Sequence, residues 1–193
     1  FRTLVYMINS WITCDSTPKQ YVTKAPRNAN IGVNNKTLAR GTMSDPRKKY
    51  WQVRLKEVKK TLEENNFDVY IADNSSDVND IVLKEIIPAL KPQTVSWGGS
   101  ITFTDVGLYD NLKDSREMKV LDTFDKKLSD TDKLEIRRQA LLTDLFITGT
   151  NALTDTGKLV NLDMIGNRVA ALTFGPKNVI VLISRNKVIA DVD

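Results

Sequence analysis

The sequence predicts an α/β domain in which a Rossmann-like parallel or mixed sheet is flanked by helices. Two observations carry that reading. From Asp45 onward, short runs rich in β-branched and aromatic residues alternate with stretches whose apolar residues recur at helical spacing. The stretches between successive strand-like runs are long enough for a crossover helix, and a strand, crossover and returning strand make a parallel pair with the helix packed on the sheet.

Each element has its own local reason. Asp45 and Pro46 supply an N-cap and a first-turn proline, and Trp51, Leu55, Val58 and Leu62 then share one face of "YWQVRLKEVKKTLEENN", a helix that Asn65 and Asn66 end. "FDVYIA" (67–72) reads as a strand, "SDVNDIVLKEIIPAL" (76–90) as a second helix and "QTVSW" (93–97) as a second strand. A helix over 103–113, a strand over 118–122, a helix over 129–143 and a strand over 144–148 follow, with Ser129 and Asp132 forming an S-x-x-D capping box. "NALTDTGKLVNL" (151–162) is apolar on both sides of Asp155-Thr156-Gly157, which predicts a hairpin. A helical piece over 166–173, a strand "NVIVLIS" (178–184) and the start of another, "KVIAD", complete the pattern.

A chain of 193 residues with 41% apolar content suits one domain able to bury a core. It has no apolar run long enough to cross a bilayer as a helix, so no membrane partner is expected. The single cysteine, Cys14, excludes an internal disulfide framework and any paired-thiol metal site, and the compartment this implies is the reducing cytoplasm. Histidine is absent, which removes the usual general base, the Ser/His and Cys/His nucleophile systems and the commonest transition-metal ligand. No metal site is predicted, and any catalysis falls to Asp, Glu, Lys, Tyr, Ser or Thr.

The net charge of +4 is unevenly spread. Residues 1–42 hold Arg2, Lys19, Lys24, Arg27, Lys36 and Arg40 against Asp15 alone, which leaves the rest of the chain close to neutral. Nucleic acid is therefore not an expected partner. "STPKQYVTKAPRNANIGVNNKTLARGT" is rich in Asn, Thr, Lys and Pro and has no apolar period. Upstream, "LVYMINSWITC" is a poor secretion signal, because Asn9 and Ser10 interrupt the apolar run and Thr13 is unfavourable before a processed Cys14. The expectation is that residues 1–42 are a non-native or disordered segment, that the natural start is Met43, and that the domain spans 43–193.

In sheets of this kind ligands bind at the carboxyl ends of the strands. Gly98, Gly99 and Ser100 fall there, after the 93–97 strand, and so do Thr148, Gly149, Thr150 and Asn151 after "LFI". Asp163, Gly166, Asn167 and Arg168 cluster beyond the hairpin. Glycine lets backbone N–H groups approach an anion and a helix start adds unpaired donors, so a carboxylate or phosphate fits physically. Thr102 with Asp105 makes a T-x-x-D capping box for the helix that follows, and Thr102 joins the ligand-binding candidates at that strand end. Each feature alone has a plainer use: a tight turn at Gly98-Gly99, a capping acid at Asp163, a surface ion pair at Arg168. Their joint occurrence at one sheet edge predicts a single pocket. No G-x-G-x-x-G follows a strand, so no flavin or nicotinamide site is predicted.

The blocks "VSWGGSITFTDVGL", "DLFITGTNALTDTGKLVNLDMIGNRVAALTFGPKNVIVL" and "NKVIADVD" resemble the LUD domain of lactate-utilisation proteins, over about Asp45 to Asp193 and in the stand-alone form that begins with a basic amphipathic helix. The resemblance implies a NagB/ribose-5-phosphate-isomerase/CoA-transferase-like fold. It also implies a place in the oxidation of lactate to pyruvate, in a multi-protein system whose iron–sulfur clusters sit on separate partner subunits, with no cofactor evident in this chain. Many stand-alone members continue into a cysteine-rich tail, so the chain is expected to lack that tail. In the wider fold group, sugar-phosphate isomerases resembling translation initiation factor 2B use the aspartate of a G-A-D motif for proton transfer. The matching place here is Gly149-Thr150-Asn151, and an amide cannot serve as a carboxylate base.

Three functions follow as expectations. The first is an accessory, anion-binding component of lactate oxidation, in which Gly98–Ser100, Thr148–Asn151 and Arg168 hold a small carboxylate or phosphorylated ligand. The second is a stand-alone enzyme on a sugar phosphate or acyl-CoA, with Asp163 as base and Lys187 as electrostatic partner. The third is a non-catalytic interaction protein, and all three admit a homo-oligomer.

Overall fold

The computed structural model describes residues 2–8 and 45–193. Six parallel strands form the main sheet: β1 (Arg2–Ile8), β2 (Asp68–Ala72), β3 (Thr94–Trp97), β4 (Lys119–Leu121), β5 (Leu145–Gly149) and β8 (Asn178–Ser184), in the order β2-β1-β8-β5-β3-β4. The predicted hairpin is present as β6 (Ala152–Thr154) and β7 (Leu159–Val160), and β9 (Val188–Ile189) joins β6 in parallel to make a separate three-stranded sheet. Within "KVIAD" the strand is Val188–Ile189 alone, and it belongs to the small sheet.

Helices cover both faces. Pro46–Glu64 forms α1, begun by the Asp45 side chain accepting from the Arg47 N–H at 3.0 Å. Leu55, Val58 and Leu62 of α1 pack with Val5, Met7, Phe146, Val179, Val181 and Ile183. On the opposite face Val78, Val82, Ile86, Phe103 and Leu108 meet Leu4, Ile8, Leu145, Ile147, Ile180 and Leu182. The strand residues divide by parity between the two clusters, as the two-residue period of a pleated strand requires. Both clusters are apolar, which is why the central strands read as continuous rather than alternating runs.

The second helical run is α2 (Ser75–Asp80) and α3 (Ile87–Leu90) joined by a π-helical turn over Ile81–Ile86, where the Ile87 N–H bonds the Val82 carbonyl. The helix predicted over 103–113 is two short helices, α4 (Ile101–Asp105) and α5 (Leu108–Leu112), because Gly107 between them has φ +79°. The helix predicted over 129–143 holds as α6 (Asp130–Gln139), with a 3₁₀ turn at Ala140–Leu142. Ser129 caps α6 by accepting from the Asp132 N–H at 3.1 Å. The last helix, α7, is Asn167–Thr173.

One expectation is corrected. Arg2–Ile8 does not stand apart as part of a disordered segment: it is paired along its length with β8 and over five residues with β2, and Leu4, Val5, Met7 and Ile8 are buried. Its run of apolar side chains has no helical or alternating period because a strand covered on both faces needs neither. The expectation for residues 9–42, and the proposed start at Met43, lie outside the described residues.

The start of β3 is tied to β5 by one carboxylate. Asp144 Oδ2 accepts from the Gln93 N–H at 2.9 Å, the Thr94 N–H at 3.0 Å and the Thr94 hydroxyl at 3.0 Å, while Lys177 approaches Oδ1 at 2.7 Å. Lys177 and then the Thr94 and Gln93 donors hold this carboxyl below its ordinary value of 3.8. A depressed carboxylate contributes stability above its ordinary value and loses it as pH falls through its folded value. Asp144→Asn is expected to cost about 1–3 kcal/mol at neutral pH and to flatten the acid limb of the stability profile, read by urea unfolding at a series of pH values.

Candidate functional site

The carboxyl ends of three adjacent strands, β8, β5 and β3, open into one cleft of about 300 Å³. Gly99, Ser100 and Thr102 line it from β3, Gly149, Thr150 and Asn151 from β5, Lys187 from the turn after β8, and Arg168 from α7. Eight of the predicted residues are therefore brought together. A smaller hollow of about 190 Å³ adjoins this cleft through Gly99 and Arg168, and it holds Asp163 and Asn167 beside Thr123, Phe124 and Arg137.

The packing explains the small residues. A Cβ on Gly149 would come within 2.5 Å of Ser100 Oγ and 3.3 Å of the Leu182 carbonyl, so the β5 backbone can lie against the β3 loop only without a side chain. Gly98 and Thr148 do not line the cleft. Thr148 is fully buried and a Cβ on Gly98 would meet its Oγ1 at 2.8 Å, so this pair supports the floor. Gly166 is the N-cap of α7 and faces a groove between α6 and α7.

The capping box expected from Thr102 and Asp105 is not formed. Ser100 caps α4 by accepting from the Phe103 N–H at 3.2 Å. Thr102 lies one residue inside the helix, buried, where its hydroxyl receives the Lys187 ammonium at 3.2 Å. Lys187 also donates to the Thr150 carbonyl at 2.9 Å. No carboxylate among the described residues pairs with it. Burial, and secondly the neighbouring Arg168, push its pKa below the ordinary lysine value against a weaker opposing pull from Asp105.

Arg168 is held on three sides. Its Nε donates to Asp163 Oδ1 at 2.7 Å, and its Nη2 donates to Asn151 Oδ1 at 2.6 Å and to the Leu162 carbonyl at 3.1 Å, besides pairing with Asp163 Oδ1. Asp163 Oδ2 accepts from the Val169 N–H at 2.9 Å. Asp163 thus joins the start of α7 to the guanidinium, and both side chains are about nine-tenths buried. Arg168 Nη1 makes no hydrogen bond among the described residues, and the side chain lines both the cleft and the adjoining hollow.

Asn151 does not face a ligand as a base would: its Oδ1 is shared between Arg168 and the Leu162 N–H. The Thr150 hydroxyl bonds the Val160 carbonyl at 2.8 Å, which fastens the foot of the hairpin to β5. Sequence reasoning missed Ser184 and Asn186, whose side chains are hydrogen-bonded to each other and line the cleft. The signal was available, since Ser184 ends the predicted strand 178–184 and the rule that selected Gly98–Ser100 applies equally there. Among the described residues, no helix is long and apolar enough to cross a membrane.

The family model of the LUD domain matches residues 55–193. The comparisons with curated proteins and with solved structures found no match.

Proposed function

The chain belongs to the LUD-domain family, and from that premise we propose that it serves lactate utilisation as a component that binds a small carboxylate or phosphate in the cleft at the ends of β3, β5 and β8. The observation that carries this reading is the convergence of two cations, Lys187 and Arg168, on one polar cleft, the first with no carboxylate partner among the described residues. Two such charges facing one space favour an anion between them. A cleft of about 300 Å³ is at the small end of ligand sites, which suits a three-carbon acid better than a whole acyl-CoA.

Asp163 serves this reading as the group that positions Arg168. Both of its oxygens are engaged, by the guanidinium and by the Val169 N–H, which supports binding over proton transfer by that carboxylate. Leu162 and Met164 are 85% and 96% exposed at the rim of the adjoining hollow, and exposed apolar side chains beside a binding site support a setting among partner subunits. Those partners, on the family resemblance, carry the iron–sulfur clusters that accept electrons.

The test is a thermal-shift panel with lactate, pyruvate, inorganic phosphate, a sugar phosphate and CoA presented separately. At a hundred times its dissociation constant a bound ligand adds about 2.7 kcal/mol, a rise easily read as Tm. Lactate, pyruvate or phosphate is expected to raise Tm. A rise with the sugar phosphate or CoA alone would move the reading to the isomerase-like enzyme.

A further inference from the structure

We propose that Lys187 is an imine-forming amine for a small 2-oxo acid, with Arg168 carrying the acid's carboxylate. The inference rests on the carboxylate-binding reading of the cleft and adds a reaction to it. The two cations are not equivalent. A guanidinium stays charged, and Arg168 Nη1 remains for a ligand after Nε and Nη2 are used. An amine can give up its proton and become a nucleophile.

The surroundings of Lys187 suit that role. Its Nζ is held by a hydroxyl, Thr102 Oγ1, and a carbonyl, Thr150 O, at the wall of the cleft. Neither neighbour carries a charge that would fix the proton on nitrogen. Burial and then Arg168 disfavour the ammonium at Nζ, and Asp105 opposes them less strongly. Ser100 lines the same cleft, and its oxygen accepts from Phe103, which leaves its own O–H proton available to a carbonyl oxygen.

The step balances without a co-reactant. The nitrogen lone pair attacks C2 of the oxo acid and the carbonyl electron pair moves to oxygen, which takes up a proton to give a carbinolamine. That oxygen then leaves as water, the two amine hydrogens leaving with it in the net reaction, and a C=N bond joins Lys187 to the acid. A 2-hydroxy acid has no carbonyl to attack, so lactate would occupy the cleft without reacting.

Trapping decides the matter. The whole chain is incubated with pyruvate and cyanoborohydride at mildly alkaline pH, and the reduced adduct is located by intact mass and peptide mapping. The expected result is an adduct concentrated on Lys187, lost in Lys187→Arg and suppressed by excess lactate. Adducts spread over the other lysines with no enrichment at Lys187 would overturn the proposal, and the map of the unaltered chain reads this even if the variant folds poorly. A Tm rise with both acids but no trapping at Lys187 would overturn the imine and leave the binding reading intact. The absence of both a Tm rise and trapping would overturn both readings.

Discussion

Trp97→Ala is expected to destabilise the protein by about 3–5 kcal/mol, the usual range for emptying a fully buried aromatic site. Trp97 ends β3 directly beneath the Gly98–Ser100 loop and is fully buried. Its ring lies 5.4 Å from Phe103, 5.5 Å edge-on from Tyr109 and 6.3 Å from Phe124. Its indole N–H donates to Asp122 at 3.2 Å, and the same carboxylate receives the Tyr109 hydroxyl and the Phe124 N–H. Alanine therefore removes the hub of four aromatic rings and one partner of Asp122 together. Urea unfolding reads the loss, and Trp97→Phe, which keeps most of the ring packing, is expected to lose well under half as much. Equal losses in the two variants would mean that the hydrogen bond, not the packing, dominates.

Arg168→Met is expected to cost about 3 kcal/mol and to abolish binding of the small anion, because deleting one partner of a nearly buried ion pair strands the other. Asp163 would keep the Val169 N–H as its remaining bond, and Asn151 and the Leu162 carbonyl would each lose a donor. A double variant, Arg168→Met with Asp163→Asn, separates the pair from its surroundings, since it removes the stranded charge. It should recover part of the stability but none of the binding. A loss under about 1 kcal/mol for the single variant, the value of an exposed pair, would show that the bridge is not structural.

Much of this was legible in the chain because local signals agreed with tertiary ones. The strand at 178–184, the Ser129 cap and the Asp155–Gly157 hairpin coincide with their predicted positions, each set by short-range chemistry. The division of 103–113 at Gly107 was missed, since a glycine inside an apolar helical pattern is tolerated as often as it interrupts. Thr102 is both a capping and a ligand-binding candidate in the sequence, and the structure gives the cap to Ser100 and leaves Thr102 in the cleft wall, where Lys187, 85 residues away, reaches it. The β1 strand was unreadable for a similar reason: its partners begin 60 residues or more further along the chain. For the site, position at strand ends was predictable, whereas the roles were not. Asp163 became a support for Arg168, and Gly98 and Thr148 a floor, through packing that no spacing rule encodes.

On the proposed function, Lys187 and Arg168 together hold one small anion. Calorimetric titration of pyruvate, lactate and phosphate into the unaltered chain and into Lys187→Met and Arg168→Met variants tests it most directly. The expected result is saturable binding of one small anion per chain, lost in either variant while both remain folded by circular dichroism. Undiminished binding in the folded variants, or none to the unaltered chain, would contradict it.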